Sequence, residues 1–421
     1  MYLTKKNIKD YKKIVKCPIT NSKNYFSYLD LGKIPLVNNL NNTKKESLNC
    51  EKFELKVNYF SSSRLSVLSQ AIDPKILYSN YLYKSGTSQP YKDHCSEMEW
   101  FVDKYLNFKP GDKVLDVGGN DGTLLEVFKK KKEFLEVLNI DMSTNLVEEC
   151  HKKGIPAINA KWGLGVSKEI SSKFNLITTT NCFQHTKDIN DFVAGIKNSL
   201  DERGIWCLEF PYWKNSLLTN QFDQVYHEHA YYYLVYPLYM LFAKHGLQII
   251  KITPKDIHGG SLRLLISHLG DYNPCGSVDQ FINSEKYVNS QYGDRLDEVY
   301  LKNWSDKINN HIKESREVLL DLKNKGFKIA GFGAAAKGCV YLNSANMDHN
   351  IIDYVVDDTD IKQNKFIPGT GIKIVSRKKL KEHPVDYVLI LAHNFSDYII
   401  KSLKKEYNGK FIIFFPEIKI I

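Results

Sequence analysis

Apolar and polar residues do not follow one rhythm along this chain. Residues 1 to about 80 hold short apolar runs between turn-like stretches, "PITNSKN" and "NNLNNTKKES", and predict a small irregular module. "PYKDHCSEMEWFVDKYLNF" then places Met98, Phe101, Val102 and Tyr105 at the spacing of one helix face. From residue 113 short apolar runs alternate with amphipathic ones. "KVLDVGG", "EVLNID", "IPAIN", "FNLITTT" and "GIWCLEF" read as strands, and "GTLLEVFKKK", "NLVEECHKK" and "INDFVAGIKNSL" as helices. This alternation predicts a doubly wound α/β unit with a parallel sheet. "LQIIKITP" and "SLRLLISH" resemble an antiparallel edge that closes it. Residues 280–325 are charged and predict a connecting pair of helices. A second alternation starts at 327, with strands "FKIAGFG", "IIDYVVDD", "DYVLILA" and "KFIIFFP" and helices from "AAKGCVYLN" and "SDYIIKSLKKE". The expected division is 1–80, 81–275 and 276–421.

Composition narrows the class. A chain of 421 residues with 43% hydrophobic and 25% charged residues has ample material for packed cores. No 18-residue apolar run points to a membrane span, and "MYLTKKNIKDYKK" lacks the apolar stretch of a secretory signal. The eight cysteines are scattered, without disulfide or zinc spacing, and suit a reducing cytoplasm. The net charge of +10 is spread along the chain, and its one run, Lys129–Lys132, reads as a solvated helix end. The surplus is compatible with an anionic small substrate without indicating one by itself, and neither nucleic acid nor membrane is expected as a partner. Oligomeric state is not legible.

Candidate chemistry sits where strands end. In "VLDVGGNDGTLLEVF", Gly118, Gly119 and Gly122 permit a tight turn into a helix after Asp116, and Asp141 ends the next strand. A glycine turn with a distal acid serves dinucleotides and S-adenosylmethionine (SAM) alike. Asn120 and Asp121 occupy the place where a pyrophosphate would come close, and a carboxylate there repels a diphosphate. SAM therefore fits better than NAD, with Asp141 accepting from the ribose and Met142 and Asn181 as further contacts. Asn159 to Trp162 stand where an adenine ring would pack. In "GFGAAAKG", Gly333 and Ala334 lead into a helix whose N-terminus and Lys337 attract an anion such as a diphosphate. Asp357, Asp358 and Asn394 follow the neighbouring strands as substrate candidates. An NAD-dependent oxidoreductase is the rival reading, but this loop lacks the G-x-G-x-x-G spacing.

"YHEHAYYY", Tyr226 to Tyr233, concentrates proton-handling groups in eight residues. "DVGGNDGTLL", "FDQVYHEHAYYY", "HGGSLR" and "GFGAAAKG…VVDDTDIKQNKFIPGT" occur in one order, and together they resemble the SAM-dependent sugar C-methyltransferases that act on nucleotide-linked deoxyketosugars. The resemblance spans roughly 75 to 415. It implies a small N-terminal lid domain, a central class I SAM methyltransferase domain and a C-terminal Rossmann-like domain for the nucleotide sugar. It places the catalytic base at His229, with Tyr226 and Glu228 beside it and His185 nearby; a second base would serve no purpose, so His227 is expected to be structural. It brings Tyr81 or Tyr83 to the sugar, with His258, Gly259 and Arg263 near the substrate, although Arg263 would also suit pairing with an acid. The family's N-terminal zinc is carried by two C-x-x-C pairs. Here those positions read Cys17, Thr20, Phe60 and Ser63, and one thiolate cannot build a tetrahedral site, so no metal is expected. The same machinery would serve O-methylation of a sugar hydroxyl, and a scaffold that has lost catalysis would keep the fold.

Overall fold

A computed structural model describes residues 11–78, 84–87, 89–257, 259–289, 291 and 293–421. Tyr81, Tyr83 and His258 lie outside the described residues. The central sheet has seven strands in the order Leu247–Lys255, Ser261–His268, Leu200–Pro211, Phe174–Thr180, Lys113–Val117, Glu136–Asp141, Ala157–Asn159. From Leu200–Pro211 to Ala157–Asn159 the neighbours are parallel. Ser261–His268 runs antiparallel between Leu200–Pro211 and Leu247–Lys255. Continuous burial of Val114 through Val117 is what a parallel strand covered on both faces requires.

The helix Thr123–Lys131 buries Leu124, Leu125 and Phe128 and ends in the tetralysine run. Cations at a helix C-terminus oppose the negative end of its dipole. Lys131 and Lys132 also pair with Glu99 and Asp103 of the helix Gln89–Leu106. The run is therefore a helix end that ties two helices together. In Gln89–Leu106, Met98 and Val102 are buried and Phe101 packs at the rim, as the spacing predicts, whereas Tyr105, near the helix end, is exposed.

The N-terminal part is more regular than its sequence suggests. Phe26–Pro35, Lys52–Phe60 and Leu65–Leu68 form an antiparallel sheet, and Tyr231–Tyr232 completes it by pairing with Leu65–Leu68. The missing strand is about 160 positions away in sequence, so no local pattern shows it. "NNLNNTKKES" contains a helix, Lys44–Leu48, with a capping box between Thr43 and Glu46.

The expected helix pair is instead a short helix, Ser277–Ser284, a two-stranded ribbon, and one long helix, Glu298–Asn324. Asp297 caps the long helix by accepting from the Tyr300 amide. Leu301, Trp304, Ile308, Ser315, Leu319 and Leu322 lie along its buried face, and the Trp304 indole donates to the Leu217 carbonyl. The C-terminal sheet has the order Ile374–Val375, Tyr354–Val356, Ile329–Phe332, Tyr387–Ile390, Lys410–Ile413, Lys419–Ile420, with only the last strand antiparallel. One apolar cluster runs through the three larger sheets, from Leu29 and Val57 through Trp206 to Val340 and Phe414. No helix among the described residues is long and apolar enough to cross a membrane.

Candidate active site

The strand Lys113–Val117 ends at Gly118, whose φ of 72° and contact with the Cys182 thiol leave no room for a side chain. Asn120 is also left-handed, at φ 54°, and its amide donates to Asp141 Oδ2 at 3.1 Å. The Ser143 amide donates to Asp141 Oδ1 at 2.8 Å. Burial raises the Asp141 carboxyl above its usual range despite these donors. Gly118, Asn120, Asp141, Met142 and Asn181 all line a cavity of about 460 Å³. The Asn181 Oδ1 in that wall is buried without a hydrogen-bond partner among the described residues.

Four cofactor candidates stand behind the wall. Asp116 lies beneath the turn, accepts from the Thr178 hydroxyl at 2.7 Å, and is pushed by burial to a pKa of about 7. Asp121 accepts from the Gly86 amide and the Thr123 hydroxyl and pairs with Lys153 at 3.2 Å. It fixes the 84–87 segment and not a ligand ammonium. Gly119 packs against Asp116 and Asn139, and Gly122 starts the helix at φ 73°.

The YHEH loop closes one side of the cavity. His229 and Tyr226 line it, and their rings are 4.0 Å apart. His229 Nδ1 is 2.9 Å from the Gln224 carbonyl. A carbonyl only accepts, so Nδ1 carries the hydrogen, and in the neutral form of the ring the lone pair is on Nε2. The His185 ring meets His229 edge-on at 4.8 Å. His185 Nδ1 lies 2.9 Å from the Glu228 carbonyl and 2.8 Å from the Tyr78 hydroxyl, and burial lowers its pKa to about 4. It is therefore a neutral hydrogen-bonding group near pH 7. Burial lifts the Tyr226 hydroxyl well above the usual tyrosine range, so it stays a donor. His227 faces away, with Nε2 3.2 Å from the Glu54 carbonyl and the Phe53 ring against it. Glu228 is buried, and Oε1 accepts from Asn38 Nδ2 at 2.7 Å.

The opposite wall comes from the C-terminal sheet. Gly333, at φ 92°, turns the chain under Ala392, and Ala334 to Lys337 begin the helix Ala336–Ser344 at the cavity. Burial lowers Lys337 to about 8, opposed by the charge of Asp223. Asn394 lines the cavity beside His393, whose Nδ1 is 3.0 Å from Asp223.

Several substrate candidates serve the frame instead. Asp357 builds the loop by accepting from the Ala334 and Thr359 amides and pairing with Lys362. Asp358 is held by Arg377 through two bonds of 2.7 and 2.8 Å. Arg263 is fully buried between Glu209 and Glu97. Gly259 packs behind Asn394, against Gln221.

The wall also holds residues that the sequence reading passed over. Lys187 and Lys362 join Lys337 and Lys161, and among the described residues Asp141 is the one acid in the wall. Tyr78, Asn38 and His393 are there too. Trp162 lines the wall, as its position after the third strand suggests, whereas Asn159 hydrogen-bonds the Asp141 carbonyl. The only sequence signal for the lysines was their place in loops after strands.

The seven-stranded order, with its last strand inserted antiparallel and a glycine turn at its centre, is the class I SAM-dependent methyltransferase fold. A methyltransferase domain model matches residues 94–252, and a C-methyltransferase C-terminal domain model matches residues 256–416. The chain is 27% identical to the C-methyltransferase NovU of Streptomyces niveus over 97% of each chain. Together these matches support a C-methyltransferase family. Among solved structures, a SAM-dependent methyltransferase from Geobacter sulfurreducens in complex with S-adenosyl-L-homocysteine shares 13% identity, covering 41% of this chain and 90% of that one, with a TM-score of 0.32. The PH0226 protein from Pyrococcus horikoshii shares 13% identity, covering 44% and 94%, with a TM-score of 0.36.

Proposed function

We propose that this chain methylates a carbon next to the ketone of a nucleoside-diphosphate-linked deoxysugar, with His229 as the general base. The observation that carries the reading is the placement of His229 in one cavity with both the Asp141 turn and the Ala334–Lys337 helix start. The turn fits SAM. Asp141 has two oxygens at the wall to offer ribose hydroxyls, Gly118 permits close backbone approach, and Asn181 Oδ1, without a partner among the described residues, awaits a donor. Bound there, SAM supplies an electrophilic methyl group.

The remaining chemistry belongs to the side chains. His229 accepts the carbon-bound proton at Nε2, and the electron pair left on that carbon would form the new bond to the methyl group as the methyl–sulfur bond breaks and its pair stays on sulfur. Gln224 fixes the tautomer that makes this possible. Tyr226, kept protonated by burial, is a donor for the developing enolate oxygen. Lys337 and the helix N-terminus suit a diphosphate, and among the described residues Lys161 and Lys187 add positive charge to the wall.

Replacement of His229 by Asn keeps size and polarity. Turnover of a nucleoside-diphosphate-linked 4-keto-6-deoxyhexose is expected to fall by roughly 10²–10⁴ while SAM binding stays nearly unchanged. A His229→Asn enzyme as fast as wild type would remove the loop from the mechanism.

A further inference from the structure

Glu228 is the acid of the YHEH loop, yet among the described residues it is Asn38, and not Glu228, that lines the cavity. Asn38 Nδ2 donates to Glu228 Oε1 at 2.7 Å, across 190 positions of sequence. The amide thus turns its NH2 toward Glu228 and its Oδ1 away.

The segment that follows Asn38 is anchored independently of Glu228. Asn41 and Phe366 exchange backbone hydrogen bonds of 3.0 and 2.8 Å. The fully buried Ser47 donates to the Ile367 carbonyl at 2.7 Å and accepts from the Gly371 amide at 2.9 Å. Asn38 is thus held by its own amide on Glu228, and the segment after it is tied to the C-terminal unit at Asn41 and Ser47.

We propose that Asn38 is a substrate-binding residue whose Oδ1 accepts from a sugar hydroxyl, and that Glu228 is a positioning residue that acts through it. The inference rests on the sugar reading above and adds that the substrate carries a free hydroxyl at this wall. An oriented acceptor discriminates against an analogue that lacks the hydroxyl, because the protein group is then left unpaired.

A donor–acceptor swap tests this, using a nucleoside-diphosphate-linked 4-keto-6-deoxyhexose as the probe and SAM calorimetry as the check on folding. Asn38→Ala should raise the sugar KM about ten-fold, the scale of one hydrogen bond, with SAM affinity unchanged. Glu228→Gln alone should be mild, since its amide oxygen still accepts from Asn38. Asn38→Asp should be severe, because two carboxylates then face each other. The double variant Asn38→Asp/Glu228→Gln should recover most of that loss, because the new amide donates and the new carboxylate keeps an acceptor for the sugar. Should Asn38→Asp fail to bind SAM, the pair Asn38→Ala and Asn38→Ala/Glu228→Gln decides instead, with equal KM values expected. Losses that multiply, or a Glu228→Gln enzyme without turnover while Asn38→Ala is unaffected, would overturn the inference. A wild-type enzyme inactive on every such sugar would instead overturn the function on which it rests.

Discussion

Arg263 offers a sharp contrast between a substrate ligand and a structural charge. Its side chain is fully buried, Nε donates to the equally buried Glu209, and Nη2 is 2.8 Å from Glu97. His94 Nε2 completes the set at 2.6 Å from Glu209. Burial alone would raise the Glu209 carboxyl, but His94 and Arg263 hold it below the usual range. Arg263→Met keeps an apolar stem and removes the guanidinium, which lies over the Phe101 ring. Glu209 is then left with one partner in a place without water. Breaking a buried ion pair from one side costs about 3–5 kcal/mol. At about 2–4 °C per kcal/mol for a unit of this size, the melting point should drop by roughly 6–20 °C. The double variant Arg263→Met/Glu209→Gln should melt higher than Arg263→Met, because no charge remains stranded. Thermal unfolding followed by circular dichroism reads the drop, and the sugar KM measured well below the transition should not move. An Arg263→Met protein that melts with wild type but binds sugar more weakly would refute the structural assignment.

Two further outcomes follow from the N-terminal sheet. Elemental analysis of the purified chain should find no stoichiometric zinc: the Cys17 thiol meets the Ser63 hydroxyl at 3.1 Å, and Thr20 pairs with Ser62 at 2.8 Å. One zinc per chain lost in Cys17→Ser would contradict this. His227 is lowered by burial from 6.5 to about 4, so its contribution to stability is whole above 6.5 and is lost as pH falls toward 4. At about 1.4 kcal/mol per decade of pH that loss reaches roughly 3 kcal/mol. The fall in melting temperature between neutral and acid pH should therefore be smaller in His227→Gln than in wild type, and an equal fall would contradict the assignment.

What the sequence shows and what it hides follow from range. Strand, turn and helix around Gly118–Gly122 are local, so the apolar rhythm and the glycines read correctly. The role of a charged residue depends on what folds against it. Asp121, Asp358 and Arg263 look like ligands in the sequence and are consumed by Lys153, Arg377 and Glu209 in the fold. Conversely, Asn38, Lys187 and His393 reach one wall only after the N-terminal sheet borrows Tyr231–Tyr232 as its edge and the C-terminal sheet docks. Tyr78 was hidden for another reason. It lies just before a tyrosine-rich stretch, and nothing local distinguishes the tyrosine that reaches His185 and the Glu228 carbonyl.

The central claim is that His229 takes a proton from carbon. Incubation of the ketosugar with enzyme in deuterium oxide, without SAM, tests it by following the signal of the carbon-bound hydrogen next to the ketone. The account predicts that deuterium enters that position with wild-type enzyme and does not with His229→Asn. Methyl transfer that proceeds without exchange, onto a sugar lacking a ketone, would contradict it and give the reaction to a hydroxyl oxygen.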